Sequence, residues 1–173
     1  MKLRNKKIAV FLENAYQEME VWYPYYRMKE EGADVYFVAP EKGKEYHSKY
    51  GYPAKAELGI EDASGQSFDA LIIPGGYAPD YMRRNEDMVQ MVKDMAGAGK
   101  VVAAICHAGW MLASAEVLQG KKATSVEAIK DDMKHAGANW VNEEVVRDGN
   151  LITSRTPDDL PAFCRAVIEA LIS

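Results

Sequence analysis

Four uninterrupted apolar runs, each ending in a polar or glycine-rich break, limit the architectures open to this chain. They cover residues 7–12, 34–39, 70–73 and 101–105. A run with no polar alternation leaves no face for water, so each reads as a strand buried on both sides, the mark of a parallel sheet. Parallel neighbours need crossover segments, and helical patterns lie between the runs. Residues 18–31 carry Met19, Trp22, Tyr23, Tyr26 and Met28 near helical spacing, with Gly32 as a stop. Pro24 falls inside that stretch, so the helix is expected to begin near it or bend there. Residues 86–96 place Met88, Val89, Met91, Val92 and Met95 on one stripe, closed by Gly97 and Gly99, and residues 108–115 read as a shorter helix.

Two stretches depart from the alternation. Residues 43–60 are polar and glycine-punctuated, which suits a small hairpin at the edge. Glu144 to Arg147 and Leu151 to Thr153 flank Asp148-Gly149-Asn150, a hairpin turn. The last helix is expected to be capped by Thr156, with Pro157 in its first turn and Asp159 three residues on. Its apolar face (Leu160, Phe163, Val167, Ile168, Leu171) includes Cys164, which reads as a packing thiol. Trp110 and Trp140 read as core. Tyr16, Trp22, Tyr23, Tyr25 and Tyr26 exceed what one buried helix face requires, so an exposed aromatic surface and self-association are expected.

A chain of 173 residues with no internal repeat and no clear linker fits one domain over residues 1–173. The net charge of −5 argues against a nucleic-acid surface or an anionic-membrane surface. No segment approaches the roughly 18 unbroken apolar residues of a membrane helix. The charged start runs straight into a strand without a signal-peptide pattern, and Cys106 and Cys164 alone build no disulfide framework. A cytoplasmic location is expected.

The chemistry concentrates where strands end. Open parallel sheets form their sites beyond the carboxyl ends of strands, and three suggestive loops lie there: residues 13–20, 74–80 and 106–107. Val101 to Ile105 stops at Cys106, His107 comes next, and the small neighbours Ala104 and Ala108 permit a sharp strand-to-helix turn. A helix amino terminus favours the thiolate, the nucleophilic form. An isolated Cys-His pair also fits a packed core. Pro74-Gly75-Gly76 presents successive backbone N–H groups, as an anion nest does, or forms a plain tight turn. Glu18 and Glu20 either favour the helix start or bring one carboxylate to face the thiol, where burial would hold it protonated. Only His47 and His135 remain as further histidines, with no metal-ligand spacing, so no metal and no cofactor are expected.

Taken together, Ala104-Ile105-Cys106-His107, the segment Leu71 to Asp80 and Ile129-Lys130-Asp131-Asp132-Met133 closely resemble the PfpI family, or intracellular protease I, of the parkinsonism-associated deglycase superfamily. Tyr23-Pro24-Tyr25 and Ser154-Arg155-Thr156-Pro157 extend the likeness over nearly the whole chain. The resemblance implies a flavodoxin-like three-layer α/β sandwich, akin to the class I glutamine amidotransferase domain, with a mostly parallel central sheet. It implies Cys106 as nucleophile, His107 beside it, Glu20 as the acid on the thiol, and Gly75 and Gly76 as the oxyanion loop with the His107 N–H as a further donor. In hexameric members an acid from a neighbouring subunit orients the histidine; Asp80 occupies that place, one methylene shorter than the usual glutamate. Val126 stands where some relatives carry a tyrosine. The implied assembly is a homodimer or homohexamer. The implied substrates are small carbonyl compounds, glycated proteins or peptides, attacked by a cysteine-dependent peptidase or deglycase. A redox-responsive stress protein whose cysteine oxidises without turnover is the alternative.

Overall fold

The computed structural model describes residues 1–173. Its core is a seven-stranded sheet of β1 (Lys7–Phe11), β2 (Asp34–Ala39), β5 (Leu58–Gly59), β6 (Ala70–Ile73), β7 (Val101–Ile105), β10 (Val145–Asp148) and β11 (Leu151–Ser154). Their order is β10-β11-β7-β6-β1-β2-β5, and every pairing is parallel except β10 with β11. The four apolar runs thus become adjacent strands, and β6 and β7 are buried at every position. Helices α1 (Glu18–Glu30) and α7 (Leu160–Ile172) pack together on one face, and α2 (Ile60–Ser64), α4 (Glu86–Gly97) and α5 (Gly109–Ser114) cover the other. The short α3 (Ala78–Met82) packs on α5, as does α6 (Lys130–His135). This is the expected three-layer sandwich.

The edge hairpin forms from β3 (Glu45–His47) and β4 (Pro53–Lys55). The β10–β11 turn narrows to Gly149 and Asn150, with Gly149 at φ 64°. A parallel pair, β8 (Lys122–Ala123) with β9 (Asn139–Trp140), has no counterpart in the sequence pattern; two residues are too few to show a period.

Several local expectations are corrected. Helix α1 does not start at Pro24: it runs continuously from Glu18 to Glu30, with Pro24 inside it. One missing N–H costs a single helical bond, and Val21, Pro24, Tyr25 and Met28 bury the helix's inner face. Its amino end is closed by Gln17, whose side chain accepts from the Glu20 N–H at 3.0 Å. Thr156 makes no side-chain cap on the last helix, and Asp159 turns back to Arg155 instead, at 2.8 and 3.0 Å. A 3-10 turn, Pro157–Asp159, precedes α7. Of the aromatic cluster, Tyr16 and Tyr25 are core, whereas Tyr26 stands 61% exposed. Trp110 and Trp140 are half-buried, each with its indole N–H bonded, to Asp132 at 2.8 Å and to Ser125 at 3.0 Å. Cys164 is buried in the core, as its position on α7 implied.

On the central strand β6, Ile72 is inaccessible and pairs on both sides, with Val10 and Ala103. Ile72→Ala leaves a cavity that neither neighbour can fill. Urea titration should show a loss of about 2–5 kcal/mol.

Candidate active site

The register of the sheet decides which loops meet. Ile73 of β6 pairs with Ala104 of β7, so two residues further on Gly75 lies level with Cys106. On the other side of β6 stands β1, whose following loop leads into α1 and Glu20. The three strand-end loops singled out in the sequence therefore converge on one point.

Gly75 marks that point. A Cβ there would lie 2.6 Å from Cys106 Cβ and 2.6 Å from Glu20 Oε2, closer than Cβ atoms approach, and 3.1 Å from Cys106 Sγ, a tight contact. Gly76 is held at φ 74° and bridges to Tyr16, with the Tyr77 N–H donating to the Ala15 carbonyl at 2.9 Å. Cys106 itself adopts φ 62°, the left-handed region, where a residue with a Cβ carries a strain of about 1–2 kcal/mol. A 3-10 turn, Cys106–Ala108, then feeds α5. The Val126 N–H reaches the Cys106 carbonyl at 3.4 Å, and Val126 packs partly buried against the core.

Glu20 is inaccessible to solvent. Its Oε2 accepts the Gly75 N–H at 2.7 Å, and its Oε1 has no hydrogen-bond partner in the protein. Burial dominates its titration and pushes the carboxyl up to about 7, with the Gly75 hydrogen bond opposing. Burial also pushes the Cys106 thiol up, to about 12, followed by the adjoining Glu20 charge. The N–H groups of Gly76 and His107 lie beside the sulfur and pull the other way, but they lose. The expected helix-terminus thiolate is thus outweighed. α5 has only six residues behind a 3-10 turn, and its dipole does not match the cost of desolvation.

His107 Nδ1 sits 3.4 Å from Cys106 Sγ, and the imidazole packs edge-on against Trp110 with centroids 5.1 Å apart. Burial lowers the pKa of His107, with the Lys49 charge acting in the same direction, so the ring is neutral at pH 7. Within one chain no acid orients it: Asp80 is ion-paired with Arg84, one turn along. Gly75 and Gly76 also part company. The Gly75 N–H is committed to Glu20, leaving Gly76 and His107 as the donors nearest the sulfur. Two further residues, Tyr16 and Lys49, bear on the site although sequence reasoning missed them. Tyr16 is fully buried and joins the hairpin to the glycine loop through bridges to Ser48 and Gly76. Lys49 lies next on that hairpin, and its charge is felt by both Glu20 and His107. Nothing in a polar loop of the sequence distinguishes it.

Sheet order, helical layers and a cluster of loops at the strand ends define a flavodoxin-like α/β protein with a buried acid beside a strained cysteine. The comparisons with known proteins narrow the class. A model of the DJ-1/PfpI family matches residues 6–170, and the chain belongs to that family. It is 44% identical over 165 residues to a protein named deglycase PfpI from Pyrococcus furiosus, covering 95% of this chain and 99% of that one. General stress protein 18 of Bacillus subtilis is 41% identical over 168 residues, covering 96% and 98%. The solved structure of a protein from Anabaena variabilis with DJ-1/ThiJ/PfpI-like and ferritin-like domains superposes with a TM-score of 0.92 at 38% identity. That match covers 96% of this chain and 48% of the larger one.

A carboxyl raised from 4.5 to about 7 makes stability depend on pH. Between those values the folded state keeps a proton that the unfolded chain releases, so stability falls as pH rises through the window and levels off above it. Glu20→Gln removes the ionisable group. Denaturation midpoints of variant and wild type should diverge from pH 5 to pH 8 in favour of the variant, by up to ~3 kcal/mol.

Proposed function

We propose that this chain is a cysteine-dependent hydrolase of the PfpI type, acting on electrophilic carbonyls as a peptidase or as a deglycase of small carbonyl adducts. The observation that carries the reading is the meeting of Cys106 Sγ, Glu20 and the glycine loop at a position where no Cβ fits. Above about pH 7 Glu20 is ionised and serves as the base. It takes the thiol proton as Sγ bonds to the carbonyl carbon, and the C=O π pair moves onto oxygen. The N–H groups of Gly76 and His107, already beside the sulfur, receive that oxyanion. As the carbonyl re-forms, the bond to the departing group breaks. The proton held on Glu20 passes to that group through His107, which takes it on one nitrogen as it gives one from the other. Water then cleaves the thioester, and the thiol regains its proton. The high thiol pKa is then useful, because no free thiolate is stored and the nucleophile forms only as the proton leaves. The relative named a deglycase supports the same chemistry.

His107 still needs an orienting acid, and we assign that role to Asp80 of a neighbouring subunit in a homodimer or homohexamer. The exposed Tyr77 and the packed pair Tyr77–Tyr81 surround Asp80 with aromatic surface suited to such a contact. The site of action is cytoplasmic on this reading, and no helix is long and apolar enough to cross a membrane. A second reading, a stress protein whose Cys106 oxidises without turnover, draws on the relative named general stress protein 18.

Cys106→Ala should abolish turnover of methylglyoxal and of peptide reporters, by at least about a thousandfold, and Cys106→Ser should lose nearly as much. Wild-type activity in Cys106→Ala would sink the hydrolase. Added oxygen on Cys106 in the intact mass after mild peroxide, with no turnover by the wild type, would favour the stress-protein reading. Asp80→Asn should lower kcat by about tenfold to a hundredfold with KM little changed, and sedimentation should show the assembly intact.

A further inference from the structure

The motif at residues 129–133 takes no part in the steps at the sulfur, yet the fold sets it against the helix that begins there. Gly109, two residues after His107, permits the approach: a Cβ there would collide with Met133 Sδ and lie 3.0 Å from Ile129 Cδ1. With α6 seated on α5 in this way, Asp132 Oδ2 accepts the Trp110 indole N–H at 2.8 Å. Arg83, at the carboxyl end of α3, stands over the same indole, its guanidinium carbon 5.7 Å from the ring centroid. Arg83 Nε donates to Ser114 Oγ at 3.0 Å, which ties that cation to α5. The indole, held from α6 and from α3, meets the His107 imidazole edge-on, with centroids 5.1 Å apart and planes at 62°. The imidazole places Nδ1 3.4 Å from Cys106 Sγ, and no hydrogen bond within the chain holds its other nitrogen.

We infer that Trp110 is a positioning residue: anchored by Asp132 and Arg83, it holds the His107 imidazole with Nδ1 against Cys106 Sγ. The inference rests on the hydrolase reading for what His107 does. On that reading one ring nitrogen takes a proton as the other gives one, so the ring must keep a single orientation. Rotation about Cα–Cβ swings the imidazole off the sulfur, and a half-turn about Cβ–Cγ replaces Nδ1 by a carbon. The second of these torsions is broad for histidine, so a neighbour has to select the orientation. An edge-to-face contact does so only if the partner ring is itself fixed, and the charged hydrogen bond to Asp132 fixes the indole. Trp110 acts through His107, and the contact exists before substrate arrives. It therefore supports the chemical step rather than binding, and its loss falls on kcat.

Steady-state kinetics with methylglyoxal and histidine NMR, both on the full-length protein, test this together. Trp110→Ala should lower kcat by about tenfold with KM changed by less than about twofold. Trp110→Phe, which keeps an aromatic edge, should bring kcat back to within about threefold of wild type. Asp132 is exposed, so its variants fold even where Trp110→Ala does not. Asp132→Ala frees the indole and should cost about threefold in kcat, and Asp132→Asn, which keeps an acceptor, should recover most of that loss. In Trp110→Ala the His107 C–H resonances should lose the indole ring-current displacement, and the ring, relieved of burial, should titrate at higher pH. An unchanged kcat overturns the proposal, as does a rise in KM matching the fall in kcat, which would make Trp110 a wall for substrate. A fall in kcat with the His107 resonances unmoved also overturns it, because the role is then merely structural. Wild-type turnover in Cys106→Ala would sink the hydrolase reading alone, and the His107 resonances would still decide whether Trp110 holds the ring.

Discussion

The absence of a side chain at position 75 is the constraint on which the site depends. Three strands end side by side in the order β7-β6-β1, and the loops leaving them must share one small volume. The middle strand contributes Gly75, and the flanking ones lead to Cys106 and Glu20. With a Cβ only 2.6 Å from both neighbours, alanine there would push the acid away from the thiol or the cysteine out of its left-handed conformation. Either shift undoes what the parallel register achieves, namely placing residues more than eighty positions apart within one contact.

That closeness governs the electrostatics. A carboxyl and a thiol buried together both resist ionisation, and each charge makes the other harder to form. The outcome is a carboxyl near 7 and a thiol near 12, which places the single readily lost proton of the pair on the acid. A cysteine at a helix amino terminus reads from sequence as a stored thiolate. Desolvation reverses that reading, because a short helix offers a fraction of a charge and burial removes the whole hydration shell.

The parts of the fold that were legible in the sequence have a period or a hard steric rule behind them. Apolar runs without alternation declared the buried strands, and Gly149 with its neighbours declared the hairpin turn. The cysteine was legible because β-branched residues stop abruptly at it and small residues flank it. The features that escaped depend on partners far away in the chain. Pro24 does not break α1, because its face is buried by tertiary packing that no local rule contains. Thr156 looks like a cap until Arg155 claims Asp159. Gln17 caps α1 although glutamine is not a favoured capping residue. Lys49 and Tyr16 gain their importance solely from the bridges that join residues 16, 48 and 76.

The same bridges connect the hairpin to the acid's pKa. At the first turn of α1 the helix would normally lend its free N–H groups to a carboxylate. Here the Glu20 N–H is taken by Gln17, and the carboxylate is met by the Gly75 N–H and by the Cys106 thiol. Gly75 is tied through its carbonyl to the Gln17 N–H at 3.3 Å, and Gly76 through its bridge to Tyr16. Tyr16 in turn holds the Lys49 backbone. One continuous network therefore positions the donor that lowers the carboxyl's pKa and the cation that lowers it further. The acid's readiness to accept a proton is thus set first by burial, with the Gly75 N–H and, more weakly, the Lys49 charge opposing it.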